Sequence, residues 1–204
     1  MRKNASKDRL IIQGEAMIPT DHGEFRMIAY SYDVEDRMPH MALFHPGTRI
    51  DEVVNVRIQS ECITGEVFGS NRCECGEQLE QSLHYIGQNT GILIYLRQEG
   101  RGIGIINKLH AYEKQDAGYD TAEANKVLGF AIDSRRYDAA IQILVDLGVT
   151  KINLLTNNPD KLAAFDSSEI AIVDRIPLEI IPKKENREYL KTKKHTFGHH
   201  LDLV

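Results

Sequence analysis

The chain has 204 residues, 42% hydrophobic and 27% charged, a composition that can bury one core in one domain. Its 25 basic against 30 acidic side chains leave a net charge of −5, a balance that repels a polyanion and excludes extended nucleic-acid binding. No run of about eighteen apolar residues is present to span a membrane, and no apolar h-region follows Met1 to Asn4, so the sequence reads as cytosolic.

Phe25 to Tyr32, Met41 to His45 and Val53 to Gln59 are rich in β-branched, aromatic and alternating apolar residues, with Gly23, Pro39, Pro46 and Gly47 as breaks. They are predicted as strands of an N-terminal sheet. All three cysteines follow the third strand, in the run from Ser60 to Gly76. Next, Leu79, Leu83 and Ile86 predict a helix over Gln78 to Ile86, and the apolar run Gly91 to Arg97 predicts a buried strand. A glycine-rich turn then leads into a helical pattern at Ile105, Ile106, Leu109 and Tyr112. Asp120 with Glu123 reads as a capping pair opening a helix over Thr121 to Leu128, and Tyr137 to Leu147 reads as an amphipathic helix ended by Gly148. Lys151 to Thr156 is a strand, Asn158 and Pro159 open a short helix, and Ile170 to Ile181 is a strand interrupted by Pro177.

Strands first, then alternation of helix and strand, predict an α+β or mixed α/β single layered domain over residues 1–182. Residues 183–204 hold five lysines, three histidines and no clear period, and are read as a basic, mobile C-terminal tail.

Cys62, Cys73 and Cys75 fall within fourteen residues of a charged, glycine-punctuated loop. Buried cysteine often serves only as a small apolar side chain. An odd count in a cytosolic reading argues against a disulfide framework. Three thiolates are one short of a structural zinc site, so the fourth position can hold water, and this suggests hydrolysis. One of the eight histidines as fourth ligand would make the site structural instead.

Two further constellations carry charge. In Arg97-Gln-Glu-Gly-Arg-Gly-Ile-Gly104, glycines allow close backbone approach, while arginine and glutamate suit phosphate and a guanine-like amide edge. The turn is neither the dinucleotide fingerprint nor the phosphate loop ending in Gly-Lys-Ser/Thr, and alone it equally fits a solvated tight turn. Asp133-Ser-Arg-Arg136 lies between two predicted helices, where Asp and Arg usually meet solvent. A nucleophilic arginine there would need a carboxylate to accept its proton.

Together, Cys62 through Cys75, the Arg97–Gly104 run, the helix from Asn107-Lys108 to Tyr112, Asp133-Ser-Arg135 and Leu155-Thr-Asn-Asn-Pro159 closely resemble GTP cyclohydrolase II. The resemblance runs from about Glu15 to the Gly198-His-His-Leu tail. It implies zinc-dependent hydrolysis of GTP, with Mg²⁺ on the phosphates, to formate, pyrophosphate and 2,5-diamino-6-(5-phosphoribosylamino)pyrimidin-4-one, the step that opens riboflavin synthesis. In that comparison Cys62, Cys73 and Cys75 match the zinc ligands. Arg135 matches the nucleophile, Asp133 its proton acceptor, and Tyr112 an active-site tyrosine. Arg57, Ile58, Gln59, Ser60 and Glu61 match GTP-contacting positions, as do Gln78, Glu99, Gly100, Arg101, Thr121, Thr156 and Lys161. The resemblance also implies a homodimer.

Glu99 is the expected reader of guanine, since a carboxylate matches the N1 and N2 donors and rejects adenine. Arg57, Arg101, Lys161 and Thr156 are expected around the triphosphate. Gln59 stands where many members of the family have histidine, and Glu66 and Glu74 where aspartate is common. No dihydroxybutanone-phosphate synthase domain precedes the motifs, so a fused bifunctional form is not expected. A zinc deaminase would need His-x-Glu and Pro-Cys-x-x-Cys, absent here. A relative that stops at the formamide product, or a non-catalytic zinc-stabilised guanine-nucleotide-binding protein, stays as an alternative.

Overall fold

The structure, a computed structural model, describes residues 9–204, with the backbone alone for Thr121 and Ala122; the Met1 to Asn4 stretch lies outside the described residues. Among the described residues seven strands share one sheet: β1 (Ile11–Thr20), β2 (Gly23–Ser31), β3 (His40–Phe44), β4 (Val54–Ser60), β5 (Ile92–Leu96), β6 (Lys151–Leu155) and β7 (Ala171–Ile176). The order is β1-β2-β3-β5-β4-β6-β7, antiparallel across β1, β2, β3 and β5 and parallel across β5, β4, β6 and β7. Seven helices accompany it: α1 (Ile63–Glu66), α2 (Cys75–Asn89), α3 (Gly104–Asp116), α4 (Thr121–Val127), α5 (Asp138–Asp146), α6 (Pro159–Ala163) and α7 (Arg187–Phe197). The mixed α/β class expected from the sequence is the one found.

The sheet is packed on both faces. On one, Ile28, Val56, Ile58 and Ile94 meet Ala140, Ile143 and Leu144 of α5, together with Phe165. Ile143 is fully buried, so Ile143→Ala would cost about 2–5 kcal/mol. On the other face Phe25, Leu43 and Leu93 meet Ile86, Leu79 and Leu83 of α2. That stripe is the one its helical spacing predicts. Asp120 and Glu123 form the expected capping box, with Glu123 N–H donating to Asp120 Oδ1 at 2.8 Å and Asp120 N–H to Glu123 Oε2 at 3.1 Å. Asn158 Oδ1 accepts from Asp160 N–H at 2.9 Å and caps α6.

The structure corrects the sequence reading at both ends. β1 was not predicted, and its side chains are almost all exposed, so no apolar alternation marks it; its ladder with β2 holds it instead. The last strand stops at Ile176, because Pro177 cannot donate to a ladder. Residues 183–204, read as a mobile tail, contain α7, whose Leu190 and Lys193 are buried. Its apolar face is interrupted by the buried lysine, which hid the helical period.

Parallel pairing positions the site. β4 and β5 run in register from Val56 beside Ile92 to Ser60 beside Leu96, so the loops that follow them leave the same edge of the sheet. Open sheets gather ligands outside the carboxyl ends of such strands. Alternation along β4 turns Val56 and Ile58 into the α5 core and sends Arg57 and Gln59 to the α2 side.

Candidate active site

Cys62 follows β4, Cys73 precedes α2 and Cys75 opens it, bringing their three sulfurs within 4.8 Å of one another. Cys62 Sγ and Cys73 Sγ are 3.6 Å apart, while sulfurs bound at about 2.3 Å to one tetrahedral ion lie about 3.8 Å apart. Two glycines allow this closure. A Cβ on Gly65 would stand 2.9 Å from Cys73 Sγ, and one on Gly76 would stand 2.4 Å from the Gly65 carbonyl oxygen. No histidine or carboxylate among the described residues joins the three sulfurs.

Lys108 Nζ donates to Cys62 Sγ at 3.1 Å and to Glu99 Oε1 at 2.8 Å. Hydrogen bonds from Cys73 and Cys75, aided by Lys108, hold the Cys62 thiol far below its ordinary value. Contact with Cys62 pushes Cys73 up to about 11 and raises Cys75 as well. One sulfur carries charge alone, and three charged together need a cation. The donor set and its spacing therefore fit a thiophilic divalent ion.

A buried polar chain runs beneath the cluster. Tyr95 Oη donates to Glu66 Oε2 at 2.5 Å, Cys62 N–H donates to the same oxygen at 3.2 Å, and Gln59 Nε2 donates to Glu66 Oε1 at 2.6 Å. Arg57 Nη2 donates to Gln59 Oε1 at 2.6 Å and to Gln78 Oε1 at 3.1 Å, and its Nη1 donates to the Leu155 carbonyl at 3.1 Å. Gln78 Nε2 donates to Glu74 Oε1 at 3.3 Å, and the same oxygen accepts from buried Lys193 of α7. Burial pushes the Arg57 guanidinium down to about 10, against the nearby Cys75 and Glu74.

The glycine-rich turn and the Asp133–Arg136 segment pack against each other. Ser134 N–H donates to the Arg101 carbonyl at 3.0 Å, and Arg136 N–H donates to Gln98 Oε1 at 3.1 Å. Arg101 has φ +59, a left-handed conformation rare for a side chain of its size, between Gly100 at +61 and Gly102 at +88. Glu99 accepts from Ile63 N–H at 2.6 Å through Oε2, and from Gly100 N–H and Lys108 through Oε1. Three of its four acceptor positions are thereby taken.

Asp133 and Arg135 form a bidentate pair, with Arg135 Nε 3.0 Å from both carboxylate oxygens, Nη2 closing on Oδ2, and the Arg135 backbone N–H donating at 3.0 Å. Burial opposes the Arg135 charge, but Tyr137 and Asp133 overcome it and hold the guanidinium above its ordinary value. Asp133 is lowered: burial would raise it, and Arg135 more than offsets that.

These elements surround one cleft of about 590 Å³, in the range of small-molecule sites. It is lined by Cys62, Cys73, Cys75, Arg57, Gln59, Ser60, Glu61, Gln78, Glu99, Gly100, Arg101, Tyr112, Arg135 and Lys161. Three expected residues are not in its lining. Ile58 is a core side chain, and its carbonyl accepts from Lys161 Nζ at 2.6 Å. Thr156 is buried, its Oγ1 accepting from Asn158 N–H at 3.0 Å and shaping the turn before α6. Asp133 is hydrogen-bonded to Arg135, which does line the cleft. Thr121 opens α4, and its side chain lies outside the described residues.

Sequence reasoning missed Arg72, Tyr189 and Lys193 and gave no role to Lys108, which it named only as part of a motif; all four line the cleft. Lys108 is four residues before Tyr112 on α3, a spacing that places both on one helical face. Arg72 lies 4.8 Å from the Tyr112 ring centre, and burial pushes the Tyr112 phenol up to about 12. Burial, then Arg57, Arg135 and Lys193, push Lys161 well below the ordinary lysine value. Arg57, Arg101, Arg135 and Lys161 thus converge on the cleft, a cluster of donors of the kind that binds phosphate.

The riboflavin biosynthesis protein RibBA of Bacillus cereus (strain G9842) is 49% identical over 190 residues, 93% of this chain and 48% of that protein. The RibBA proteins of Bacillus cytotoxicus and Chlorobium phaeovibrioides are 50% and 48% identical, covering 93% and 98% of this chain and 48% of their own. The chain spans about half the length of the curated relatives it matches. A crystal structure of RibBX, a two domain 3,4-dihydroxy-2-butanone 4-phosphate synthase from A. baumannii, is similar over 85% of this chain and 42% of its own, with 17% identity and a TM-score of 0.45. The family model for GTP cyclohydrolase II matches residues 11–177, and with relatives this similar the chain belongs to the GTP cyclohydrolase II family.

Proposed function

We propose that this chain is a zinc-dependent GTP cyclohydrolase II, hydrolysing GTP to 2,5-diamino-6-(5-phosphoribosylamino)pyrimidin-4-one, formate and pyrophosphate at the entry to riboflavin synthesis. The observation that carries this reading is the meeting of three clustered sulfurs with Arg57, Arg101, Arg135 and Lys161 in one cleft. Cys62, Cys73 and Cys75 would hold the zinc, which would supply the Lewis acidity that makes water nucleophilic near neutral pH.

The remaining work falls to side chains. Glu61 precedes Cys62, and burial raises its carboxyl against the pull of Arg97, which suits it to take a proton from the attacking water. Tyr112, with a pKa of about 12, stays protonated at neutral pH and donates a hydrogen bond to the opening ring. Glu99 keeps one acceptor position, enough for one of guanine's two donors rather than both, and its other contacts hold Lys108 beside Cys62. Arg101 and Lys161 receive the triphosphate, and Mg²⁺ enters with the phosphates as part of the substrate.

The resemblance assigns Arg135 as nucleophile on the α-phosphorus, with Asp133 taking its proton. The shifts of both groups oppose that transfer while the pair is intact. A second reading therefore gives Arg135 the role of a fixed cation that stabilises charge on the departing pyrophosphate. A homodimer and a cytoplasmic location complete the proposal, and no helix among the described residues is long and apolar enough to cross a membrane.

The test is formate and pyrophosphate measured together from GTP with the zinc-loaded chain. Equal release supports the enzyme. Pyrophosphate without formate indicates a stop at the formamide, which product mass would identify. Ammonia indicates deamination, and nucleotide binding without any product leaves a binding protein.

A further inference from the structure

The Arg101 side chain is held from α7. Its guanidinium carbon lies 4.4 Å from the Phe197 ring centre and 5.7 Å from the Tyr189 ring centre, and Nη2 donates to Tyr189 Oη at 3.4 Å. Its Nη1 is enclosed without a hydrogen-bond partner. A buried donor left unpaired is costly unless a ligand or water completes it. The backbone at Arg101 is also left-handed, a conformation that persists only where surrounding contacts impose it. α7 itself is anchored by the buried ion pair of Lys193 with Glu74, the residue immediately before Cys75. Phe197 is absent from the cleft lining, so it acts on the site through Arg101.

We propose that α7 seats the Arg101 guanidinium for the phosphates of the substrate, with Phe197 as a positioning residue stacked behind it. The inference rests on the cleft being the nucleotide site. Stacking on an aromatic face leaves the planar N–H donors free for phosphate while restricting where they point. Affinity is then gained because the donors are ordered before the ligand arrives.

The experiment uses the full, zinc-loaded chain and calorimetry with two probes, a non-hydrolysable GTP analogue and guanosine. Phe197→Leu is expected to weaken the analogue about tenfold, equivalent to one 1.4 kcal/mol step, and to leave guanosine unchanged. Phe197→Tyr, which keeps the stacked ring, should restore analogue affinity to within about twofold of the parent. Unchanged analogue affinity in Phe197→Leu, or an equal loss of both probes, would overturn the proposal. Phe197→Met, which removes the ring while keeping more of its volume, carries the same two expectations, so it decides the matter should Phe197→Leu fail to fold. Arg101→Ala is the separate control. If it leaves analogue affinity intact, Arg101 does not bind phosphate and the reading of the cleft fails; if it weakens the analogue while the ring variants do not, only the role of α7 fails.

Discussion

Gln59 and Glu66 share a direct hydrogen bond, Nε2 to Oε1 at 2.6 Å. Two positions at which this sequence departs from the pattern it resembles are thus one contact. The longer carboxylate arm of Glu66 still accepts Cys62 N–H, and the Gln59 amide joins it to Arg57. Gln59→Leu would take one buried partner from Arg57 and one from Glu66, leaving each its other contacts. We expect a loss of about 1–3 kcal/mol of stability by urea unfolding, with weaker metal binding. A loss below about 0.5 kcal/mol, the scale of ordinary surface changes, would show that the contact is dispensable.

Removing a sulfur should remove the metal. Cys73→Ser is expected to bind substoichiometric zinc and to release no formate from GTP, and a chelator should do the same to the parent chain. Elemental analysis of the purified protein checks the first point. A full equivalent of zinc in Cys73→Ser would remove Cys73 from the ligand set.

Arg135 separates two chemistries. Arg135→Ala is expected to abolish both ring opening and pyrophosphate release. Arg135→Lys keeps a cation but not the bidentate fork. Residual pyrophosphate release from the lysine variant, well above that of the alanine variant, would favour charge stabilisation. Trapping of a covalent guanylyl adduct on the parent chain, absent from both variants, would favour the nucleophile.

Lys161 predicts a proton linkage. Its free-state value is depressed by burial and by the neighbouring cations, and a bound triphosphate raises it. Between those two values the free chain is deprotonated at Lys161 and the complex is protonated. Binding therefore takes up a proton in that window, and affinity falls as pH rises through it. Calorimetry in buffers of different ionisation enthalpy, at a pH well above the terminal phosphate value of about 6, measures the uptake. Lys161→Met should abolish it, and proton release from the parent chain would contradict the assignment.

Tyr112→Phe should slow turnover while leaving nucleotide binding in place. With its phenol pushed up to about 12, Tyr112 contributes no titration to the rate between about pH 6 and 10. A rate limb in that range that disappears in the phenylalanine variant would mean that the phenol ionises during the reaction.

Three clustered cysteines, the charged glycine-rich turn and the apolar runs determined the sheet-rich core, the cysteine loop and the family, because each is a local pattern. The α2 stripe and the Asp120 and Asn158 caps are local in the same sense, since helical period and capping involve residues only a few positions apart. Only tertiary structure decided that β1 is a strand, because an exposed edge strand is held by backbone bonds that leave no mark in side-chain type. It also decided that the Thr156 and Ile58 side chains are buried outside the cleft lining, and that Arg101 lies against Phe197 across nearly a hundred positions. The last relation joins one loop to a helix whose buried lysine breaks its apolar face. Its partner, Glu74, is distant in the chain, and ion pairs of that kind become visible only when the chain has closed around them.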